Sequence, residues 1–404
     1  MTRGKGFIFV AIILVVDFFA IFTALSFFFT PTVTARTIES NFEEISIEES
    51  IKFAPTSESH HTIKFNIFED IAEARELLEK RRCGFRTARL KKGKEIELGE
   101  FTVLLAVEDI RTREIFVVRA HPKHGGLTKT IVVEPGKPNG VNTKFTVTYP
   151  ENNIVLAIKR PVRHGTSIKE VIYTPYSEGL DIPEVREAGL KYLRSVLTTA
   201  KNDLTKRGAV SSWETFFADD ISVALAIIEH IDPVSFESGK YSTERLINET
   251  LVVLGANKQK AYRFSASKAG ARGLFQFIPK TYKRIVDLYP QAGLDKDFTR
   301  GMEDHKNAAK AALLLFDADM RIMNHGRTSH ITDDPWEIGR LLASAYNCGS
   351  GKTKGAFEKH GDKWNSKVPT ETQIYLKKFD AVWEWLHVHP QAVHSITIRG
   401  KEIL

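Results

Sequence analysis

Apolar and polar positions divide the chain into four stretches of different texture. Phe7 to Phe29 is an almost unbroken apolar run. At 1.5 Å per residue it covers about 34 Å, enough to cross a hydrocarbon core of about 30 Å. Residues 30–62 are rich in Thr, Ser, Glu and Pro and predict a linker. Next, the apolar spacing of Ile71, Ala74, Leu77 and Leu78 predicts a helix over Phe68–Arg82. Short β-branched runs at Phe101–Val107, Ile115–Ala120, Thr130–Glu134, Lys144–Tyr149, Asn153–Lys159 and Ile168–Tyr173 predict strands, and Gly-Gly, Pro-Gly and Asn-Gly pairs punctuate them.

From Pro183 onward the period changes to 3.6. Apolar faces predict helices over Glu187–Leu204, Trp213–Ile231, Thr243–Leu254, Lys280–Tyr289, Lys306–Met323, Trp336–Tyr346 and Thr370–Leu386. The expected architecture is a multidomain α+β protein. It comprises a head at 1–6, a transmembrane helix at 7–29, a linker at 30–62, a β-rich accessory domain at 63–182 and a helical domain at 183–404. Arg3 and Lys5 precede the apolar run, and no positive cluster follows before Arg36. The positive-inside rule then puts the head in the cytoplasm and the rest of the chain outside. A cleaved signal peptide is the competing reading, disfavoured because its apolar region runs to only about 7–15 residues.

Composition adds boundaries more than detail. The chain has 404 residues, with 57 Lys+Arg against 50 Asp+Glu, a formal charge of +7. That excess is ordinary for a basic protein and selects no anionic partner by itself. Two cysteines, Cys83 and Cys348, exclude a disulfide scaffold and a Cys-based zinc ribbon. His60-His61 and His387-x-His389 lack further ligands at metal-binding spacing, so no metal is expected. The basic run Arg89–Lys94 is read as a solvated face, with no nucleic-acid partner.

Three motifs in the helical part carry chemistry. In the first, an apolar helix from Val223 runs into Glu229 just before Pro233, which is expected to break it. A carboxyl at the end of such a helix loses solvation, so its pKa rises and it can serve as a general acid. In the second, Ser267 to Pro279, the glycines Gly270 and Gly273 permit a tight turn, while Ser267 and Gln276 offer hydrogen bonds to a polar substrate. The third is Ala345-Tyr346-Asn347-Cys348-Gly349, followed by Glu371-Thr372-Gln373-Ile374-Tyr375. An aromatic face and an amide beside a groove suit a sugar.

Together these residues resemble the lytic transglycosylase domain of the soluble lytic transglycosylase type, related in fold to goose-type lysozyme. The family pattern is a Glu ending an apolar helix, then S-x-x-G-A-x-G-L-x-Q-x-x-P, A-Y-N-x-G and E-T-x-x-Y. All four occur here in that order, over about residues 209–388. The resemblance implies cleavage of the MurNAc-β-1,4-GlcNAc bond of peptidoglycan with 1,6-anhydro ring formation, and no cofactor. It implies Glu229 as the single catalytic acid, and Ser267, Gln276, Tyr346, Asn347 and Tyr375 as the saccharide-binding residues. Gly270, Ala271, Gly273 and Glu371 would support them, Glu371 by orienting Tyr375 or the turn carrying Asn347.

Two features depart from the family. His230 stands where Ser usually follows the Glu, and the Glu229-to-Ser267 interval is roughly twenty-five residues longer. The extra segment, 236–262, is expected to hold a helix that forms a lid or wall over the groove. It also contains Glu237-Ser238-Gly239, a rival for the catalytic position. Glu229 is preferred because no apolar helix leads into Glu237. Asp232 is, with Glu371, the nearest option for a second acid.

A lysozyme-like hydrolase of the same bond, and an inactive peptidoglycan-binding scaffold, stay open as alternatives. The resemblance and the apolar run together imply a single-pass inner-membrane protein with its catalytic domain in the periplasm. The β-rich domain would be free to dock a cell-wall or secretion-machinery protein.

Overall fold

The computed structural model describes residues 66–89, 96–128, 130–164, 166–210, 218–324 and 334–388. The head, the apolar run and the linker lie outside these residues, as do His60, His61, His389 and most of the Arg89–Lys94 run. Among the described residues no helix is long and apolar enough to cross a membrane.

The first half is built on a sheet and one helix. Helix α1 (Ile67–Glu79) buries Ile67, Ile71, Ala74 and Leu78, the a/d-like positions of its sequence. Asn66 caps its N-terminus by accepting from the Phe68 N–H at 3.2 Å. The strands are β1 (Phe85–Arg89), β2 (Ile96–Phe101), β3 (Val103–Glu108), β4 (Ile115–Ala120), β5 (Gly126–Leu127), β6 (Val132–Pro135), β7 (Phe145–Tyr149), β8 (Ile154–His164) and β9 (Ser167–Tyr173). Four of them form an antiparallel sheet in the order β4-β3-β8-β9, with Leu105 opposite both Val118 and Ile158. β1-β2 and β5-β6-β7 are smaller antiparallel sheets. Every residue of β3 is buried, as befits a central strand covered on both faces.

The second half is helical: α2 (Pro183–Lys206), α3 (Ala218–Ile228), α4 (Pro233–Glu237), α5 (Thr243–Asn257), α6 (Pro279–Leu288), α7 (Phe298–Glu303), α8 (His305–Asn324), α9 (Pro335–Cys348), α10 (Ser350–His360) and α11 (Thr370–Val388). Helix α8 runs through the middle, with every residue from Asn307 to Asp319 buried. Its buried charges are paired, Lys310 with Asp203 at 2.6 Å and Asp317 with Arg321 at 3.0 Å.

Several expectations need correction. The run Phe101–Val107 is two strands, because Thr102 pairs its N–H with the Gly84 carbonyl and the chain changes sheets there. Period-2 alternation carries no mark of such a switch. The β8 strand runs five residues beyond Lys159, held by its hairpin with β9. Helix α2 starts at Pro183 rather than Glu187, with proline in the first turn where its missing N–H does no harm. Helix α3 stops at Ile228, so Pro233 does not break it and instead opens α4.

The segment 236–262 is not a lid. Its helix α5 is a core element crossing α2 so closely that backbones touch. A Cβ on Gly189 would sit 2.0 Å from the Leu251 carbonyl oxygen, and one on Gly255 would sit 2.1 Å from that of Val185. Only glycine permits this approach.

The β-rich and helical parts share one hydrophobic core and one compact unit. The change of texture near residue 182 marks a change of secondary structure, with continuous packing across it. Asn257, at the end of α5, ties the two. Its amide donates to the Thr174 carbonyl at 2.7 Å and the Val253 carbonyl at 2.9 Å, and its oxygen accepts from the Thr174 N–H at 2.9 Å. Arg75 of α1 reaches the same place, donating to the Ala256 carbonyl at 2.8 Å and to Asn257 at 3.1 Å. Asn257→Ala strands several buried polar groups at once. It should lower unfolding free energy by about 2–4 kcal/mol, read as a shift of the urea midpoint.

Candidate active site

Beyond its acidic first turn helix α3 is apolar except for Ser222, and Ile221 to Ile228 are fully buried. Its C-terminus therefore ends inside the protein with carbonyls that water cannot reach. Lys378, buried on α11, supplies the donors, its ammonium reaching the Ile228 carbonyl at 2.9 Å and the Ile231 carbonyl at 3.1 Å. A cation suits the negative end of a helix dipole.

Glu229 follows directly and is half-buried. Tyr375, also on α11 and three residues before Lys378, donates its hydroxyl to Glu229 Oε1 at 2.6 Å. Burial pushes the Glu229 carboxyl from its usual 4.5 up to about 7. The Tyr375 hydrogen bond and the Lys378 charge pull it down, and the Glu371 charge pushes it up. The desolvated tyrosine next to this carboxylate has its own pKa raised well above the ordinary value. Tyr346 is raised similarly by burial and by the nearby Glu229 charge.

His230 points away into the fold. Its Nε2 meets the Leu274 carbonyl at 2.9 Å, and its ring stacks on Tyr262 with centroids 3.4 Å apart and planes 6° from parallel. Burial drops its pKa to about 3, so it is neutral across the physiological range. It joins α3 to the loop after α5 and is no second acid.

The Ser267–Pro279 loop is folded by its own residues. Ser267 Oγ accepts from the Ala271 N–H at 3.0 Å, and bridges pair Arg272 with both Ala266 and Phe277. Gly270 and Gly273 have φ of +82° and +74°. At Gly273 a Cβ would lie 2.3 Å from the Met302 carbonyl oxygen, so the loop seats against α7 only through glycine. Gln276, itself at φ +46°, donates to the Gly273 carbonyl at 2.7 Å. Ser267 and Gln276 thus spend hydrogen bonds on shaping the loop, with Ser267 exposed and Gln276 half-buried. Ala271 is buried beneath it.

Tyr346 donates its hydroxyl to the Phe275 carbonyl and packs edge-on against Phe277 and Phe316. Asn347, half-buried next to it, accepts from the Thr372 hydroxyl at 2.7 Å. The link between the third motif and α11 is therefore made by Thr372. Glu371, expected to orient Tyr375 or Asn347, is exposed and acts on Glu229 through its charge.

Asp232 caps α4, accepting from the Ser235 N–H at 3.0 Å and the Ser235 hydroxyl at 2.8 Å. Glu237 is exposed at the end of α4. Cys83 and Cys348 are both free thiols, and no metal-binding group of His, Cys, Asp or Glu occurs among the described residues.

The structure thus brings Glu229, Tyr375 and Tyr346 into one electrostatic neighbourhood and fixes Asn347 to the helix that carries Tyr375. Lys378, Thr372 and Tyr262 were missed from sequence. For Lys378 a signal existed: it lies three residues after Tyr375, on the same face of α11. No comparable signal marks Tyr262.

No curated protein matches the chain. The family model described as "Transglycosylase SLT domain" matches residues 258–368, which hold the Ser267–Pro279 loop and the Tyr346-Asn347 turn. Glu229 and Tyr375 flank that span on either side and meet in the fold. Over residues 258–368 the chain is thus similar to the SLT transglycosylase domain, a family whose members are lytic transglycosylases acting on peptidoglycan.

Proposed function

We propose that the chain is a membrane-anchored murein lytic transglycosylase with Glu229 as its one catalytic acid. The observation that carries this is the hydrogen bond from Tyr375 to a half-buried Glu229 whose pKa stands near 7. At neutral pH such a carboxyl is partly protonated, the condition for giving a proton in one step and taking one in the next.

In the first step Glu229 donates its proton to the glycosidic oxygen between MurNAc and GlcNAc, and the GlcNAc 4-hydroxyl leaves. The carboxylate then accepts the proton of the muramic acid 6-hydroxyl. That oxygen closes on C1 and forms the 1,6-anhydro ring. Water is not consumed, so no second carboxylate is required, unlike the two-carboxylate scheme of most glycosidases. Asp232 is engaged as a helix cap and Glu371 is exposed, which favours this route over a lysozyme-like hydrolysis.

Tyr375 holds the carboxyl, and Lys378 fixes the helix end from which it projects. Tyr346 and Asn347 offer a half-buried aromatic face and amide to the sugar. Ser267 and Gln276 hold the loop that shapes the groove. The apolar run 7–29 would serve as the anchor, with the catalytic part in the periplasm.

Four outcomes are expected. Glu229→Gln should reduce 1,6-anhydro-muropeptide release from peptidoglycan by at least about a hundredfold, read by mass spectrometry. Equal turnover by the variant removes the assignment, and products heavier by one water convert the reading to a hydrolase. The same variant should also change pH stability. A carboxyl raised to about 7 stabilises the fold below its unfolded value, and that contribution is lost as pH rises through 7. Glu229→Gln should therefore gain on the parent above pH 8, by on the order of 3 kcal/mol at most, in chemical denaturation.

Tyr375→Phe removes a hydrogen bond that favours the ionised acid. The alkaline limb of its kcat profile should move up by about one pH unit while kcat falls. Deleting residues 1–30 should release the protein from the membrane fraction on centrifugation.

A further inference from the structure

A second buried carboxyl belongs to the neighbourhood of Glu229, and no step above uses it. Asp319 lies on α8 with its side chain 3% exposed. The Tyr346 hydroxyl is within electrostatic reach of both Asp319 and Glu229. A carboxylate below the surface costs free energy unless donors meet it. Burial raises the Asp319 pKa from 3.8 to about 6, and two partners oppose a further rise. One is the Ser350 hydroxyl, which donates a hydrogen bond to it. The other is Arg284 of α6, whose guanidinium stands 3.7 Å away.

Ser350 is the first residue of α10 and is itself buried. Helix α9 ends at Cys348, so Gly349 alone joins the two helices. Gly349 has φ +95° and no side chain, and α10 starts without a side-chain cap. An uncapped N-terminus leaves N–H groups unpaired and carries partial positive charge. Asp319 approaches this end from another helix and supplies the negative charge that a capping side chain would have brought. With Arg284 it ties α6, α8 and α10 at one point.

The hinge held in this way carries the third motif. Tyr346 and Asn347 are in the last turn of α9, directly before it. Tyr346 gives its hydroxyl to the Phe275 carbonyl, and Asn347 accepts from Thr372. Across the hinge Ser344 and Thr353 share a neutral hydroxyl contact at 2.8 Å, and Asp319 adds the charged one. Other groups facing Asp319 do not take its place. Tyr346 keeps its proton at neutral pH, and Lys354 of α10 donates to the Ile322 carbonyl at 3.2 Å, one turn further along α8.

The geometry points to Asp319 as a positioning residue for the saccharide side of the site. Its carboxylate fixes the start of α10 and, through Gly349, the Tyr346-Asn347 turn relative to Glu229. This rests on the function proposed above and adds to it a second ionisation, one that acts on substrate binding and leaves proton transfer to Glu229.

The test uses the full-length chain in detergent and soluble glycan strands stripped of peptides by an amidase. At pH 8, Asp319→Asn should raise KM by roughly tenfold, with kcat within about twofold of the parent. Ser350→Ala should act in the same direction. The double variant should stay near the larger single effect, because both changes remove one interaction. An unchanged KM in Asp319→Asn, or effects that multiply in the double variant, overturns the proposal.

Binding to Glu229→Gln isolates the second carboxyl, since the first can no longer titrate. There the Kd for strands should rise roughly tenfold from pH 8 to pH 5 and stay flat when Asp319→Asn is added. An identical pH dependence in both overturns the proposal. A purely structural role gives a different pattern. The raised pKa means that ionising Asp319 costs stability above pH 6, so Asp319→Asn should melt no lower than the parent at pH 8. A lower melting temperature with a proportionate loss of kcat assigns Asp319 to the fold alone and also overturns the proposal. A parent that binds strands but releases no product defeats the proposed function, and the Kd comparison still decides the role of Asp319.

Discussion

The end of an apolar helix inside a protein is an electrostatic problem, and here its solution organises the centre of the molecule. Helix α3 cannot hydrate its last carbonyls, and Lys378 is buried to satisfy them. Burying an ammonium is itself unfavourable and lowers its pKa, so the arrangement holds only while the helix dipole and nearby carboxylates offset desolvation. Glu229 is one of those carboxylates. Lys378 and Tyr375 come from one face of α11, so the group that ends the helix and the group that holds the acid move as a unit. The raised pKa of Glu229 and the depressed pKa of Lys378 share one cause, exclusion of water, and each restrains the other.

Much of this was legible in the sequence, and the reasons for what was not are specific. Period-3.6 runs of apolar residues marked α2, α5, α8, α9 and α11 because these helices bury continuous stripes. Helix α10 escaped, being a polar surface helix with only Ser350 and Thr353 buried. The short strands β1 and β2 escaped because their stretch reads as a charge run. In the site, the position of Glu229 after a greasy helix was readable, as was the glycine loop. The partners that tune the acid were not, because Tyr375 lies 146 residues away in sequence. Thr372 was overlooked beside Glu371, although a neutral hydroxyl is the better partner for a half-buried amide than an exposed carboxylate.

The long interval between Glu229 and Ser267 looked like an addition laid over the groove. It is a structural member. Helix α5 presses against α2 through paired glycines and ends at Asn257, where Arg75 and Thr174 converge. The chain then turns through Tyr262, whose N–H meets the Tyr173 hydroxyl at 3.1 Å and whose ring carries His230. A path of direct contacts thus runs from the last strand of the sheet to the residue after the acid.

His230 illustrates what such packing does to chemistry. An imidazole next to a carboxyl raised to about 7 would ordinarily titrate in the same range and blur its behaviour. Burial keeps this one uncharged, and His305, held at about 4, stays neutral as well. The two histidines therefore add no charge near neutrality, and the carboxyls that burial raises in this centre are Glu229, to about 7, and Asp319, to about 6. A spectroscopic probe placed there would register carboxyl ionisations and no imidazole one between pH 5 and 8.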